Sequence, residues 1–252
     1  AKMERAEASK EMVDEMDIGV LTNFVPDQKA KSILSHIKSV ADESWMQIDN
    51  KQQRSYGQGV KRRATVDMDY KMLDLQLPEH QALRQEIEPV FQELFQGPGQ
   101  KLSLFCGKYS HGSYVTSHTD GAVVTLDGTD RYNRMRAFLL YLNEEWTPEE
   151  GGLFTDEEDT GHPAYTPGWN TVLTFRVPRW HLVTPVKAEK VRWSVYGWAL
   201  EPKKDFLEAG AEWLIKKAIE NPALAGIIFV LIVLAGIFAF WKWGAQQDSP
   251  KK

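Results

Sequence analysis

Cysteine is almost absent from this chain of 252 residues, which contains Cys106 and no other. An internal disulfide is therefore excluded, and the fold has to be held together by its core. Basic residues are not in excess either, because 30 Lys and Arg stand against 35 Asp and Glu and leave a net charge of −5. This balance gives no sign of a nucleic-acid partner, and we expect none. The sequence also lacks internal repeats and low-complexity tracts.

Charged residues are missing from one stretch near the C-terminal end, "PALAGIIFVLIVLAGIFAFW", residues 222–241. About twenty helical residues span about 30 Å, the thickness of a bilayer core. Trp241 and Trp243 lie where an interfacial aromatic belt would fall. We therefore expect a single-pass transmembrane helix at 222–243, anchored in the lipid bilayer of an organelle or endomembrane. A juxtamembrane amphipathic helix at 201–221 and a polar tail at 244–252 are expected on either side of it.

Two segments before residue 100 show the helical spacing of apolar residues. In the first, which follows Pro26, the apolar face consists of Ile33, Leu34, Ile37 and Val40. The second, "PEHQALRQEIEPVFQELF", carries a longer apolar stripe and is followed by the helix-breaking sequence "GPG". We therefore predict helical support over 21–100, preceded by a charged lead-in at 1–20.

Short runs rich in branched and aromatic residues follow from residue 101 onward: "KLSLFCGKYS", "RAFLLYLN", "TVLTFRV", "LVTPV" and "RWSVYGWAL". Turn-forming clusters such as "TPEEGG" and "TPGWN" separate these runs. No helical period intervenes, which favours an antiparallel sandwich or barrel over a βαβ fold. The sequence thus predicts a mainly β protein with flanking helices and a β core at 101–200.

The segment "SHTD" places His118 two residues before Asp120. On an extended strand, residues separated by two point to the same face, so both side chains can reach one point. Such a pair is weak evidence by itself. His181, at the start of a later predicted strand, is the candidate third ligand. Two histidines and one carboxylate are the ligand set of non-haem Fe(II) oxygenases.

An arginine on a strand face with aromatic residues is a candidate clamp for a carboxylate ligand. In "RWSVYGWAL" that face carries Arg192, Ser194, Tyr196 and Trp198. Lys190 is expected to share this face and is the alternative clamp.

Taken together, these motifs resemble the 2-oxoglutarate- and Fe(II)-dependent dioxygenases, most closely the prolyl-hydroxylase branch. "YSHGSYVTSHTD" is similar to the segment that leads into the first metal ligand of that branch. "YLNEEW" followed by "EEGGLF" resembles its strand and Gly-Gly turn between the two metal-binding segments. The resemblance covers about residues 15–200. It implies a double-stranded β-helix (jelly-roll) barrel and a dioxygenase domain at 21–200.

The resemblance also implies roles for individual residues. Fe(II) would be held by His118, Asp120 and His181. Arg192 would pair with the distal carboxylate of 2-oxoglutarate. The co-substrate pocket would further be lined by Tyr109, Tyr141 and Leu139. No catalytic residue beyond the metal ligands is implied; O₂ is the second co-substrate, and ascorbate is a further candidate cofactor.

Three functions remain open at this point. The first is a membrane-anchored dioxygenase that hydroxylates a residue of a peptide or protein substrate, proline before others, while 2-oxoglutarate is decarboxylated to succinate. The second is a dioxygenase-fold subunit with a structural or assembly role in a membrane complex and little or no catalysis, which the anchor motivates. The third is a cupin-like metal-binding or isomerase barrel, which would not require Arg192.

Overall fold

The computed structural model describes residues 2–49, 52–54, 64–126, 130–161 and 163–203. No helix within these ranges is long and apolar enough to cross a membrane. The span predicted at 222–243, the tail at 244–252 and nearly all of the predicted juxtamembrane helix lie outside the described residues. Residues 201 and 202, which were expected to begin that helix, belong to the last strand instead.

Fifteen strands occur within the described ranges and are numbered along the chain. They are β1 (Lys2–Glu4), β2 (Ile18–Thr22), β3 (Met46–Ile48), β4 (Gln52–Arg54), β5 (Ala64–Val66), β6 (Met68–Asp74), β7 (Lys101–Tyr109), β8 (Tyr114–His118), β9 (Val123–Leu126), β10 (Asp130–Tyr141), β11 (Phe154–Asp156), β12 (Ala164–Tyr165), β13 (Thr171–Arg176), β14 (His181–Val183) and β15 (Arg192–Pro202).

Helical segments are fewer and lie mostly in the first half of the chain. The α-helices are α1 (Lys10–Glu15), α2 (Asp27–Ser39) and α3 (Gln81–Phe95). Single-turn 3-10 helices occur at Arg5–Glu7, Asp42–Ser44, Pro78–His80 and Pro148–Glu150. The two helices that the apolar spacing predicted are thus present as α2 and α3.

The main sheet curls on itself, and β6 is the strand at which it turns. The order of its strands is β1-β2-β13-β10-β15-β7-β6-β8-β14-β11-β12, with β3 paired to β6 and β9 to β10. One end of β6 pairs with β8 and the other end with β7. All of these pairings are antiparallel except the one between β1 and β2. This curled, mainly β sheet is consistent with the predicted jelly-roll, and it has two walls that enclose a cavity.

Helices cover the outer face of the larger wall and form the main hydrophobic core. Phe91 and Phe95 of α3 stack on Phe138 of β10, with ring centroids 4.5 and 4.8 Å apart. All three rings are fully buried. Cys106 of β7 belongs to the same core, and burial raises its pKa. Its thiol is therefore a poor nucleophile at neutral pH.

Strands also occur where the sequence indicated a charged lead-in and helical support. β2 lies within and just after the lead-in and extends the sheet by pairing with β13. Strands β3 to β6 lie within the segment 21–100. Short strands that are half buried gain most of their stability from the neighbours with which they pair, and a local sequence pattern does not show those neighbours.

Replacing Phe91 with Ala tests how much of the stability comes from this core. We expect Phe91→Ala to lower the free energy of unfolding by about 3–5 kcal/mol, because it leaves a cavity among fully buried rings. The matched control is Gln92→Ala, which changes an exposed position of the same helix. Chemical denaturation followed by circular dichroism measures both variants. Equal stabilities of the two variants would contradict the packing described above.

Candidate metal centre and cavity

The pairing of β8 with β14 creates the centre of the candidate site. Its register places His118 directly opposite His181. The two imidazole centroids are 4.2 Å apart, and Asp120 follows β8 by two residues. One ligand atom from each of the three side chains lies within 4.8 Å of the others. All three residues are buried. The structure therefore brings together the three predicted metal ligands.

Hydrogen bonds to the backbone set the orientation of both imidazoles. Nδ1 of His118 lies 2.9 Å from the carbonyl oxygen of Thr116, and Nδ1 of His181 lies 2.9 Å from that of Arg179. A carbonyl can only accept, so Nδ1 carries the proton in both rings. The lone pair of each neutral imidazole is then on Nε2, the atom suited to a metal.

The two oxygens of the Asp120 carboxylate, Oδ1 and Oδ2, have different surroundings. Trp198 Nε1 donates to Oδ2 at 2.8 Å, whereas Oδ1 lies 3.8 Å from Nε2 of His118. Burial by itself would raise the pKa of Asp120. The histidines, the Trp198 N–H and the charge of Arg134 outweigh burial and hold this pKa below its ordinary value. The carboxylate is thus kept ionised, as metal binding requires.

A buried ion pair supports His181 from outside the centre. Arg179 donates from Nε to Oδ1 of Asp156 at 2.9 Å and from Nη2 to Oδ2 at 2.5 Å. Asp156 is completely buried and lies opposite His181 in the pairing of β11 with β14. The carbonyl that orients His181 belongs to the same Arg179. Sequence reasoning missed this pair, because Asp156 begins the acidic run "DEED", residues 156–159, and such a run is usually solvated surface.

Arg192 is a buried cation at the start of β15. Its guanidinium carbon lies 4.6 Å from the ring centroid of Tyr109 and 4.9 Å from that of Tyr141. Its Nε and Nη2 atoms and the Tyr141 hydroxyl are enclosed without a hydrogen-bond partner in the described part of the chain. A buried charge is costly unless it is paired. These atoms therefore fit an anionic ligand with several acceptor oxygens.

Both tyrosines beside Arg192 stay protonated at neutral pH. Burial raises the pKa of Tyr141 to about 12, although the Arg192 charge opposes the shift. Burial and the neighbouring Tyr70 raise the pKa of Tyr109 well above its ordinary value. A neutral phenol can donate a hydrogen bond to a carboxylate, so these residues fit the role that the sequence suggested for them.

Lys190, the alternative clamp, is on the surface. It precedes β15, so the expectation that it shares the face of Arg192 is wrong. Its Nζ pairs with Glu150 at 2.8 Å, donates to the carbonyl of Glu145 and lies over the ring of Trp146. A bend in residues 188–190 carries the side chain away from the buried tyrosines.

Gly152 makes room for the stem of Arg192. It has φ +64°, and a Cβ added there would lie 2.7 Å from Cδ of Arg192. The adjacent Gly151 has φ +69°, and a Cβ added there would lie 2.1 Å from the carbonyl oxygen of Pro185. Steric constraints therefore favour glycine at both positions of the Gly-Gly turn that the sequence predicted.

A cavity of about 260 Å³ lies between the two walls and includes the candidate ligands. Leu139 lines it, as predicted, and so does Tyr109. Residues that the sequence analysis missed line it too, namely Met68, Tyr70, Met72, Phe105 and Arg134. Met68, Tyr70 and Met72 lie two residues apart along β6. This period of two was the sequence signal that could have placed them on one face of a strand. The Tyr70 hydroxyl lies 3.2 Å from that of Tyr196, which joins the two on the cavity wall.

Residues 104–200 match the family model of the 2OG-Fe(II) oxygenase superfamily. The chain is also 31% identical over 107 residues to prolyl 3-hydroxylase OGFOD1 of Xenopus laevis. That alignment covers 38% of this chain, and the chain spans about a fifth (19%) of the length of that curated relative. Over the matched segment the chain is therefore similar to the 2-oxoglutarate-dependent dioxygenases. This family uses Fe(II), 2-oxoglutarate and O₂, and the candidate iron ligands in this chain are His118, Asp120 and His181.

Solved structures with the same fold span most of the described chain. A prolyl hydroxylase from Trichoplax adhaerens, solved with a hypoxia-inducible factor peptide, has a TM-score of 0.53 at 15% identity and covers 76% of this chain and 87% of its own. The non-haem α-ketoglutarate-dependent carbocyclase SnoK from nogalamycin biosynthesis has a TM-score of 0.52 at 11% identity, covering 80% and 87%. At these identities the likeness shows the fold alone.

Substituting Gly152 tests the close packing against Arg192. We expect Gly152→Ala to lower the free energy of unfolding by at least about 1–2 kcal/mol, the cost of a left-handed backbone for a residue with a Cβ. The contact with Cδ of Arg192 adds to this cost. Gly168→Ala is the control, because a Cβ there meets nothing closer than Oγ1 of Thr171 at 3.8 Å. Thermal unfolding compares the two, and an unchanged Gly152→Ala would argue against this geometry.

Proposed function

We propose that the chain is a membrane-anchored dioxygenase that hydroxylates a peptidyl residue, proline before others, with decarboxylation of 2-oxoglutarate to succinate. One observation carries the catalytic part of this proposal. A buried set of two imidazoles and one carboxylate shares a barrel with a buried arginine, two of whose donor atoms have no partner among the described residues. A metal-binding barrel without a keto-acid co-substrate would not need that arginine.

In this proposal His118, Asp120 and His181 hold Fe(II). Bound Fe(II) supplies the activation of O₂ that couples decarboxylation of 2-oxoglutarate to oxidation of a substrate C–H bond. The protein orients both imidazoles through the carbonyls of Thr116 and Arg179. It also holds the pKa of Asp120 below its ordinary value, so this ligand is already a carboxylate at neutral pH.

Arg192 binds and orients the distal carboxylate of 2-oxoglutarate. Its enclosed Nε and Nη2 donate to that carboxylate, and the hydroxyls of Tyr109 and Tyr141 remain protonated beside it. Leu139 contributes an apolar wall. The burial of Arg192 keeps bulk water from its guanidinium and makes these charge-assisted bonds stronger. No side chain is assigned as a general base.

A peptide or protein substrate is proposed from the relatives, two of which are described as prolyl hydroxylases. The lipid bilayer is proposed as a partner from the uncharged stretch at 222–241. SnoK has the same fold and is described as a carbocyclase, so the fold does not decide the substrate. A non-catalytic subunit of a membrane complex is disfavoured. A scaffold has no use for a buried set of metal ligands together with a buried arginine whose Nε and Nη2 lack a partner among the described residues.

The first test of this function is the binding of 2-oxoglutarate to the Fe(II)-loaded protein without oxygen. Chelation of the iron by the keto acid produces a visible charge-transfer absorption. We expect this band in the wild-type chain and its loss in His118→Ala, because the substitution removes an iron ligand. Absence of the band from folded wild-type protein would instead favour the structural subunit.

A second test distinguishes Arg192 from Lys190 as the residue that binds the distal carboxylate of 2-oxoglutarate. We expect Arg192→Ala to weaken 2-oxoglutarate binding by at least about tenfold, since it removes charge-assisted hydrogen bonds worth about 1.5–3 kcal/mol. Lys190→Ala should leave the affinity unchanged, because Lys190 lies on the surface. Titration of the charge-transfer band gives both dissociation constants. Unimpaired binding by Arg192→Ala would refute the assignment of the clamp and revive the cupin-like reading.

A further inference from the structure

The two oxygens of Asp120 are not equivalent, and Trp198 makes the difference. The indole N–H of Trp198 donates to Oδ2 at 2.8 Å. Oδ1 is the oxygen that lies near Nε2 of His118. A free carboxylate can chelate a metal through both oxygens. Here one oxygen is already engaged by a neutral donor, which leaves Oδ1 for the metal.

Arg134 and two aromatic rings hold the indole in place. The guanidinium carbon of Arg134 lies 4.3 Å from the centroid of the Trp198 ring. The rings of Phe105 and Tyr196 meet the indole edge to face at 5.8 and 5.9 Å. Because these contacts come from strands β10, β7 and β15, the indole has little freedom to turn away from Asp120.

Arg134 also holds the chain that follows Asp120. Its Nη1 donates to the carbonyl oxygen of Gly121 at 2.9 Å, and its backbone N–H donates to that of Ala122 at 2.8 Å. One residue therefore contacts both the indole and the loop that carries the carboxylate ligand. The position of Asp120, which has no strand of its own, is set by these contacts.

We propose that Trp198, held by Arg134, is a positioning residue that restricts Asp120 to binding the metal through Oδ1. The inference rests on the function proposed above and concerns how the iron site is built. One-oxygen binding keeps three metal positions open for 2-oxoglutarate and O₂, whereas a chelating carboxylate would occupy one of them. Partners that orient metal ligands typically change metal affinity by about 10–100-fold when they are removed.

The test uses Co(II) as a spectroscopic probe in the purified full chain, without iron or 2-oxoglutarate. Trp198→Phe keeps an aromatic ring and removes the N–H donor. We expect the dissociation constant for Co(II) to rise by about tenfold or more. We also expect the visible ligand-field spectrum to change, because the freed Oδ2 can then reach the metal. A residue that served only as a cavity wall would leave this spectrum unchanged.

Trp193→Phe is the matched control. Trp193 lies on the same strand but on its opposite face, where its ring contacts Trp45 at 5.7 Å. This variant should bind Co(II) with the affinity and spectrum of the wild type. Arg134→Lys is the second variant, since it keeps the charge and the indole N–H but loses the planar stacking and the bond to Gly121. We expect it to weaken Co(II) binding by a smaller factor than Trp198→Phe does.

The outcomes separate this inference from the proposed function. A folded wild-type chain that binds no Co(II) would count against the proposed function itself. Wild-type binding together with an unchanged affinity and spectrum in Trp198→Phe would overturn the positioning role and leave the function standing. If Trp198→Phe does not fold, Arg134→Lys decides: weakened Co(II) binding supports the inference, and wild-type binding overturns it.

Discussion

The site depends on one antiparallel register, the pairing of β8 with β14. That pairing sets His118 opposite His181 and brings a ligand atom of each within 4.8 Å of the other. Side chains alternate between the faces of a strand, so a slip of one residue would turn an imidazole out of the cavity. Strand β6 holds β8 from one side, and β11 holds β14 from the other. The geometry of the candidate iron ligands is thus a property of the sheet.

A second constraint comes from the charge buried at Arg192. The faces of Tyr109 and Tyr141 compensate part of the cost of burying the guanidinium. Two of its nitrogens still lack a partner in the described chain, which is unusual for a group that desolvation penalises so strongly. Gly152 provides the space that the stem of the side chain needs. An anionic co-substrate explains all three features together.

Individual strands connect the outer hydrophobic core to the site, because successive side chains of a strand point to opposite faces. On β10, Phe138 stacks against α3, while its neighbour Leu139 lines the cavity. On β15, Val195 and Ala199 belong to the core beneath the helices, while Trp198 contacts Asp120. The helices therefore stabilise the strands that carry the co-substrate pocket without contributing a residue to it.

Local sequence patterns indicated the candidate site residues and most of the strands that carry them. The spacing of His118 and Asp120, the strand position of His181 and the Gly-Gly turn could all be recognised in the chain, because each is a short motif with its own local geometry. Helices α2 and α3 were predictable from apolar spacing for the same reason. Only the tertiary structure showed that Arg192 is buried and Lys190 exposed, since that difference depends on where β15 begins. The tertiary structure also showed that β6 forms a wall of the cavity, that Asp156 pairs with Arg179, and that Trp198 contacts Asp120. Each of these joins residues far apart in the chain, so their energies depend on a register and a burial that no local pattern encodes.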